Sequence, residues 1–209
     1  MTRRFRTALL EEINFLLTNR IPRQLANHAF AWFSRIESPA LARIAIAAWR
    51  YFGDLDLADA ASARFVSVHD CFTRQLKPGA RPVDRDPSVI TSPCDAIVGA
   101  SGSIAHDRLI QAKGLSYTLG DLLADPRLVE WYINGQYVTL RLTAGMYHRF
   151  HTPYDCCVER VTYISGDTWD VNPVALARIA MLFCKNERAV IPLTLPQGDV
   201  TVTIVAVAA

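Results

Sequence analysis

The sequence lacks the features that mark disulfide-bonded secreted proteins, zinc ribbons and membrane-spanning proteins. Its five cysteines are odd in number and show no Cys-x-x-Cys spacing, which argues against a disulfide framework or a zinc ribbon. No apolar run approaches the roughly 18–20 residues that a membrane-spanning helix requires. The amino-terminal segment MTRRFRTALLEEINF has acids where a signal peptide would have its apolar core. We therefore expect a protein of a reducing cytoplasm that is soluble or peripheral to a membrane.

Lysine is absent from the first 50 residues, which nevertheless carry an excess of positive charge. This segment holds eight Arg and three Glu, a net charge of +5, whereas the remaining 159 residues hold 14 basic and 17 acidic residues, a net charge of −3. An arginine-rich arm on a slightly acidic body suggests contact with an anionic partner, either phospholipid headgroups or nucleic acid.

Apolar residues recur at steps of three and four within the first 53 residues, which is the spacing of one helical face. The pattern covers residues 5–17, then residues 25–36 and residues 41–52, and a proline stands where each of the last two helices would begin. Aromatic residues and arginines on these helices favour a membrane-docking region over residues 1–53. Packing of the same faces against the rest of the protein stays equally open.

Short β-branched runs separated by turn residues follow from about residue 64. They predict an α+β fold in which amino-terminal amphipathic helices precede an antiparallel β core, sandwich or barrel-like, over residues 64–209. Helical insertions are predicted at Leu119–Trp131 and Asn172–Ile179. The sequence ends inside the apolar run TVTIVAVAA, so we expect this core to be incomplete at its carboxyl end.

The segment TAGMYHRFHTPYD, residues 143–155, places two histidines three residues apart in a polar and aromatic run. On a strand, His148 and His151 would face opposite sides, so a joint metal site needs a helix or turn that the local sequence does not indicate. A general base also needs an orienting carboxylate, which the spacing alone does not identify. From these residues alone, metal binding, catalysis and simple packing all stay open.

Five segments in order carry a family resemblance: FTRQLKPGARP, SPCDAIV, QAKGLSYTLGDLL, YHRFHTP and NER. Together they closely resemble the phosphatidylserine decarboxylases of bacterial membranes, from about residue 13 to the last residue. The resemblance implies a lyase of phospholipid biosynthesis that converts phosphatidylserine to phosphatidylethanolamine and carbon dioxide. It also implies that the electrophile is a pyruvoyl group, made when the proenzyme cuts itself before a serine in a Gly-Ser-Thr motif.

The resemblance implies roles for individual residues. Asp95, in SPCDAIV, matches the acid of the family's Asp/His/Ser self-cleavage triad, and His151, in RFHTP, matches its histidine. His148, in MYHR, matches the histidine thought to lie beside the pyruvoyl group and serve decarboxylation. A serine hydroxyl becomes an effective nucleophile when a base takes its proton, and a carboxylate can orient that base. Arg149 and Lys113 are further candidates, as groups that bind the headgroup phosphate.

The sequence departs from the family pattern at the pyruvoyl-forming serine. Its one Gly-Ser step, Gly102-Ser103, falls where the family does not place its cleavage site. We therefore interpret the sequence as most of the larger chain of the processed enzyme and expect it not to turn over by itself. Cys94, beside Asp95, stands where the family often has alanine, and a small packed side chain is favoured over a nucleophile.

The expected partners are phosphatidylserine, an anionic phospholipid membrane and the smaller pyruvoyl-bearing chain, with a homodimer left open. The expected location is peripheral, on the cytoplasmic face of the cell membrane. A non-catalytic lipid-binding relative that has lost the pyruvoyl serine is the alternative function. Nucleic-acid binding by the arginine-rich helices is disfavoured because no basic strand with interleaved aromatic residues supports it.

Overall fold

A computed structural model of the chain describes residues 23–112, 115–196 and 201–208. The helices of these ranges are α1 (Arg23–Ser34), α2 (Pro39–Phe52), α3 (Val68–Phe72), α4 (Leu119–Leu123), α5 (Pro126–Tyr132), α6 (Pro173–Arg178) and α7 (Leu182–Lys185). The strands are β1 (Ile97–Ser103), β2 (Arg108–Ala112), β3 (Leu115–Thr118), β4 (Gln136–Arg141), β5 (Cys157–Val158), β6 (Thr162–Ile164), β7 (Arg188–Thr194) and β8 (Thr201–Val207). The helix predicted over residues 5–17 lies outside the described residues.

Helix α2 begins and ends at residues whose chemistry suits those positions. The Ser38 hydroxyl oxygen accepts a hydrogen bond from the Leu41 N–H, and Pro39 occupies the first turn. At the other end, the Gly53 N–H donates to the Trp49 carbonyl oxygen at 2.8 Å. A Cβ on Gly53 would lie 2.8 Å from the Trp49 ring, so glycine suits this position. The second and third helices predicted from the sequence are confirmed as α1 and α2.

The predicted helical insertions are also confirmed, because side-chain caps fix where they begin. Thr118 and Asp121 form a reciprocal capping box at the start of α4. The side chain of Asp125 caps α5 in the same insertion, and that of Asn172 caps α6. Each of these helices begins where a short polar side chain satisfies free backbone N–H groups.

The described strands form three sheets. β1 pairs with β4, β2 pairs antiparallel with β3, and β7 pairs antiparallel with β5, β6 and β8. The predicted α+β class is therefore confirmed. The pairings among the described strands do not close into a barrel.

The chain folds into two compact units, each built from separate stretches of sequence. One contains Gly99–Thr139 and the chain from Cys156 onward, with the described residues before His28. Its core includes Ile104, Leu109, Tyr117, Leu119, Leu122, Leu123, Leu128, Ala175, Leu182, Phe183 and Val190. The other contains His28–Val98 and Leu140–Asp155, and we call it the histidine unit because it carries His148 and His151.

In the core of the histidine unit, buried residues of helix α2 pack with residues in and before α3. The buried members of this core are Ala42, Ile46, Leu55 and Cys71. Burial raises the pKa of the Cys71 thiol to about 11, so this side chain packs as a neutral group. The division into residues 1–53 and residues 64–209 that the sequence suggests stays a prediction. No helix in the described ranges has the length and apolar content needed to cross a membrane.

Candidate active site

Backbone hydrogen bonds in the histidine unit bring the segment before Asp95 beside the segment of His151. The Thr91 N–H and hydroxyl each donate to the Pro153 carbonyl oxygen at 2.9 Å. The His151 N–H donates to the Pro93 carbonyl oxygen at 2.7 Å. Because Pro93 precedes Asp95 by only two residues, the acid and the histidine expected to work together lie in one region.

A turn in the segment KPGAR places Arg81 against Asp95. The Ala80 N–H donates to the Lys77 carbonyl oxygen at 3.1 Å, and Gly79 adopts φ +75°, a left-handed conformation that favours glycine. Arg81 follows this turn and donates from Nε to Oδ1 of Asp95 at 2.8 Å and from Nη2 to Oδ2 at 2.6 Å. Both oxygens of the carboxylate are therefore held by one guanidinium.

This pairing sets the charge of Asp95. The hydrogen bonds from Arg81 are the main reason that the pKa of the Asp95 carboxyl lies below its ordinary value of 3.8. Partial burial of the carboxyl opposes this shift, while the positive charges of Arg81, Arg74 and His151 support it. Asp95 is thus a carboxylate at neutral pH. His151 is near enough for its charge to act on the carboxylate.

His151 is exposed and bound by a buried tyrosine of its own loop. Its Nε2 lies 3.1 Å from the Tyr147 hydroxyl, and the two rings stack with centroids 5.7 Å apart and an angle of 17° between their planes. Tyr147 is only 6% exposed, so it provides a fixed support for the more exposed ring. In this structure His151 is held by Tyr147 while the Asp95 carboxylate is held by Arg81.

His148 is half-buried and lies against Phe72, the last residue of α3. The two rings stack at a centroid distance of 4.0 Å with an angle of 23° between their planes. The His148 Nε2 lies 3.2 Å from the Ala144 carbonyl oxygen. Because a carbonyl oxygen only accepts, this contact favours the tautomer with the proton on Nε2 and a basic Nδ1. Burial, helped by the charge of Arg74, lowers the pKa of His148 below its ordinary value of 6.5.

Of the two residues expected to bind the headgroup phosphate, Arg149 lies within the described residues and Lys113 does not. Arg149 is exposed and donates from Nε to the Thr73 carbonyl oxygen at 2.8 Å, which anchors it to the segment after α3. Neither role in phosphate binding is tested by these contacts, and both stay predictions.

The Cys94 thiol, beside Asp95, is disfavoured as a nucleophile. Cys94 is half-buried, and burial raises the pKa of its thiol, so the reactive thiolate form is disfavoured. Among the described residues, no group of three or more His, Cys, Asp or Glu side chains is arranged to hold a metal ion.

Sequence reasoning missed the side chains that support the three proposed acid–base residues. Arg74 and Arg81 occur within FTRQLKPGARP, and Tyr147 occurs within MYHR, but the resemblance attached no role to them. Arginine suits carboxylate partners, but two arginines near a Pro-Gly turn do not by themselves show that such partners exist. The identity of those partners depends on segments far apart in the sequence.

Comparison with known proteins gives consistent matches. The family model described as phosphatidylserine decarboxylase matches residues 68–209. The phosphatidylserine decarboxylase proenzyme of Acinetobacter baumannii (strain SDF) is 31% identical over 204 residues, which cover 96% of this chain and 72% of that protein. The proenzyme of the same name from Haemophilus influenzae (strain Rd) is 34% identical over 163 residues, covering 76% of this chain and 56% of that protein. That of Dickeya dadantii is 31% identical over 201 residues, covering 94% and 66%. These matches confirm the resemblance seen in the sequence motifs.

Proposed function

Because this chain belongs to the phosphatidylserine decarboxylase family, whose members are carboxy-lyases, we propose that it provides acid–base residues for converting phosphatidylserine to phosphatidylethanolamine and carbon dioxide. The observation that carries this proposal is the pairing of residues 91–93 with residues 151–153. This pairing brings the segment of Asp95 beside that of His151, and His148 lies three residues earlier in the same loop.

Asp95 and His151 are proposed to activate the serine of self-cleavage. Arg81 keeps Asp95 ionised, so a negative charge is present to stabilise His151 when it becomes protonated. The exposed ring of His151 is accessible to a serine hydroxyl, and Tyr147 restricts the orientation of the ring. In this role His151 takes the serine proton, and Asp95 favours the charged imidazolium that results.

His148 is proposed to handle the proton of decarboxylation. Its lowered pKa leaves the imidazole neutral at physiological pH, with a basic atom at Nδ1. Stacking on Phe72 restricts the ring, and its partial burial limits exchange with bulk water. A restrained, partly desolvated imidazole can take up a proton and return it to carbon after the carboxylate has left.

The residues present fit the pyruvoyl group that the family resemblance implies. When bound, that group supplies an electrophilic carbonyl that accepts electrons as the carboxylate leaves. The fit rests on the chemistry of this chain's side chains, because a neutral imidazole and an ionised carboxylate suit proton transfer around such a carbonyl. His148 would hold the proton next to the group, and Asp95 with His151 would serve its formation.

Arg149 and Lys113 are proposed to bind the headgroup phosphate. The Arg149 Nε is bound to the Thr73 carbonyl oxygen, and its side chain is exposed beside His148 in the sequence. A guanidinium fixed at Nε presents its Nη groups as a fork that suits phosphate oxygens.

Exposed side chains of α1 and α2 support our proposal that the protein binds peripherally to the cytoplasmic face of the cell membrane. The two helices expose large apolar side chains that soluble proteins usually cover: Leu25, Phe30, Trp32, Ile44, Tyr51 and Phe52. Arg35, Arg43 and Arg50 are exposed on or next to the same helices. Aromatic and cationic side chains together suit the interface of an anionic membrane.

The test is a decarboxylation assay on this chain fused to a family carboxyl-terminal segment that carries the Gly-Ser-Thr motif. We expect self-cleavage on a denaturing gel and release of labelled carbon dioxide from phosphatidylserine vesicles. Asp95→Asn and His151→Ala should abolish or strongly slow the cleavage, because each removes part of the base that activates the serine. Asp155→Asn is the matched control, since it removes an exposed carboxylate from the same loop.

Each outcome separates the proposed function from its alternative. Normal cleavage of both the Asp95→Asn and His151→Ala fusions would contradict the assignment of these residues. Vesicle binding without carbon dioxide release from the unmodified fusion would favour the non-catalytic lipid-binding relative.

A further inference from the structure

Arg74 is a buried arginine whose hydrogen bonds end on the loop that carries His148. It is 5% exposed, and its Nη2 donates to the carbonyl oxygens of Gly145 at 3.3 Å and Met146 at 3.1 Å. Further bonds reach the carbonyl oxygens of Cys71 and Asp56 at 3.3 and 3.4 Å. Arg74 thus ties α3 and the segment after α2 to the turn just before His148.

Within the part of the chain that the structure describes, Arg74 forms no direct salt bridge with a carboxylate, although its charge acts on Asp95. Its hydrogen-bond acceptors among the described residues are neutral carbonyl oxygens, and its buried Nε has no hydrogen-bond partner there. A guanidinium keeps its proton in proteins, so a full positive charge remains in the interior. Such an arrangement is unfavourable by itself and calls for a functional explanation.

Arg188, in the other unit, is a buried arginine whose guanidinium nitrogens are all hydrogen-bonded. It is also 5% exposed, but each of its three guanidinium nitrogens donates to a carbonyl oxygen, including those of Asp121, Leu122 and Cys184. These carbonyls belong to α4 and α7, so Arg188 satisfies backbone groups of regular helices. Arg74 differs in its unbonded Nε and in holding an irregular loop next to a candidate catalytic residue.

The turn that Arg74 holds is also restrained from its other side. A Cβ on Gly145 would lie 2.6 Å from the Gly53 carbonyl oxygen and 2.7 Å from that of Asp54. The neighbouring Ala144 carbonyl oxygen accepts the hydrogen bond from His148. The backbone that orients the imidazole is therefore fixed between Arg74 and the end of α2.

The segment that carries Arg74 also fixes the face of the His148 ring. Phe72, two residues earlier, stacks on that ring at 4.0 Å, and Trp49 stacks on Phe72 at 6.2 Å. The ring and its hydrogen-bond partner are thus both positioned by residues 72–74.

We propose that Arg74 is a positioning residue for decarboxylation, because it fixes the turn that orients His148. The inference rests on the proposed function, in which His148 handles the proton of decarboxylation. Burial is the larger cause of the lowered pKa of His148, and Arg74 adds to it. The carbonyls of Ala144 and Thr143 act in the opposite direction, and Phe72 contributes an uncharged ring.

The test compares two variants. Arg74→Gln removes the positive charge, whereas Arg74→Lys keeps the charge but loses the planar guanidinium with its several N–H donors. In the unmodified chain, an NMR titration should give His148 a pKa below 6.5. Arg74→Gln should raise that pKa, whereas Arg74→Lys should leave it near the starting value. Arg85→Gln is the matched control, because it removes an exposed arginine from the same unit and should not change the titration of His148.

Activity of the fused, self-cleaved enzyme gives the second measurement. Both Arg74 variants should lower kcat about tenfold or more with little change in KM, because the group that moves the proton is displaced. Arg74→Gln should also shift the acidic limb of the kcat profile to higher pH. Circular dichroism would verify folding, and Arg74→Lys serves as the conservative variant if Arg74→Gln does not fold.

The outcomes distinguish failure of this inference from failure of the proposed function. The inference alone would be overturned if the unmodified fusion is active and a folded Arg74 variant has the same kcat and the same His148 pKa as the unmodified protein. A pKa of His148 above 6.5 in the unmodified chain would overturn its electrostatic support. An inactive unmodified fusion would reject the proposed function, while a raised pKa in Arg74→Gln would still support the electrostatic coupling.

Discussion

Arg81 holds both carboxylate oxygens of Asp95, with Nε–Oδ1 and Nη2–Oδ2 distances of 2.8 and 2.6 Å. The same guanidinium also donates from Nη1 to Asp59 at 2.9 Å. Asp59 is brought there by the Lys77 N–H, which donates to the Asp59 carbonyl oxygen at 2.9 Å. A candidate catalytic carboxylate is therefore fixed by an arginine that is itself fixed by a second carboxylate.

Replacing Arg81 should change the titration of Asp95. Arg81→Gln removes the hydrogen bonds that lower the pKa of Asp95, so we expect that pKa to move up toward 3.8. Because the folded pKa is lowered, the pair contributes stability above about pH 3.8 that is lost as the pH falls through the folded pKa. The variant should lack this acid-dependent part, measured by carboxyl-detected NMR and by denaturant unfolding as the pH is lowered from neutral to below 3.8.

The control for this prediction is Asp59→Asn, which removes the other carboxylate bound to Arg81 and retains the pair with Asp95. The change in unfolding free energy should be small in both variants, because the side chains of Arg81 and Asp95 are 45% and 29% exposed. An Asp95 pKa that stays the same in Arg81→Gln would show that the ion pair does not control this carboxylate.

The two histidines should be separable by mutation. In the fused enzyme, His148→Ala should lower decarboxylation about a hundredfold and leave self-cleavage largely intact, because protonating carbon and activating a serine are different proton transfers. His151→Ala should instead slow the cleavage itself. Gel densitometry and carbon dioxide release measure the two steps on the same sample. Equal loss of both activities in His148→Ala would indicate a structural role for this residue.

The local signals in the sequence predicted α1, α2 and the insertions that contain α4, α5 and α6, but they predicted neither the short helices α3 and α7 nor the partners of the candidate residues. Ser38, Pro39 and Gly53 define the ends of α2 through contacts within a few residues, which is why its position could be inferred. The contact between Arg81 and Asp95 depends on the KPGAR turn and on the loops that meet it. Composition gives no information on such long-range pairing, so these contacts appear only in the folded chain.

The same distinction applies to the histidines. Family resemblance assigned His148 and His151 different tasks, and their surroundings do differ, since one lies on Phe72 and the other on Tyr147. Spacing predicted opposite faces if the segment were a strand, but residues 147–152 form an irregular loop. Their separation therefore arises from tertiary contacts and not from strand alternation.

Gly145 should be sensitive to the addition of a single methyl group. Gly145→Ala would place a Cβ less than 3 Å from the carbonyl oxygens of Gly53 and Asp54, which are backbone atoms that cannot rotate away. We expect a loss of about 1–3 kcal/mol in the free energy of unfolding. Denaturant unfolding measures this value, and the His148 resonances should shift because the turn beside the ring must move.

Gly120→Ala is the matched control for this prediction. Gly120 lies in α4, and a Cβ there would be 3.7 Å from the Thr118 hydroxyl oxygen, an ordinary contact distance. Alanine should be neutral or stabilising by up to about 1 kcal/mol at this helical position. Equal stability of Gly145→Ala and the unmodified chain would mean that the turn is free to move, which would also weaken the role given to Arg74.

Membrane docking should depend on exposed side chains of α1 and on salt. We expect the chain to float with anionic vesicles, and we expect binding to decrease as salt shortens the Debye length. Phe30→Ser and Trp32→Ser together should weaken binding, because each residue is about 70% exposed and would lose its burial in the interface. Trp131→Ser is the control, since it removes an exposed tryptophan from α5.

Point substitutions test this surface better than deletion of residues 1–53 does. Ala42 and Ile46 of α2 are 1% and 8% exposed in the core of the histidine unit, so a deletion would unfold that unit as well as remove the surface. The opposing hypothesis is that the amino-terminal helices only cover the core. In that case the unmodified chain and the Phe30→Ser, Trp32→Ser variant would be equally absent from floated vesicles, whether these are anionic or neutral. Absence of both proteins from the vesicles would contradict a membrane-docking role for α1, because the exposed apolar side chains and arginines of the amino-terminal helices would then bind no lipid.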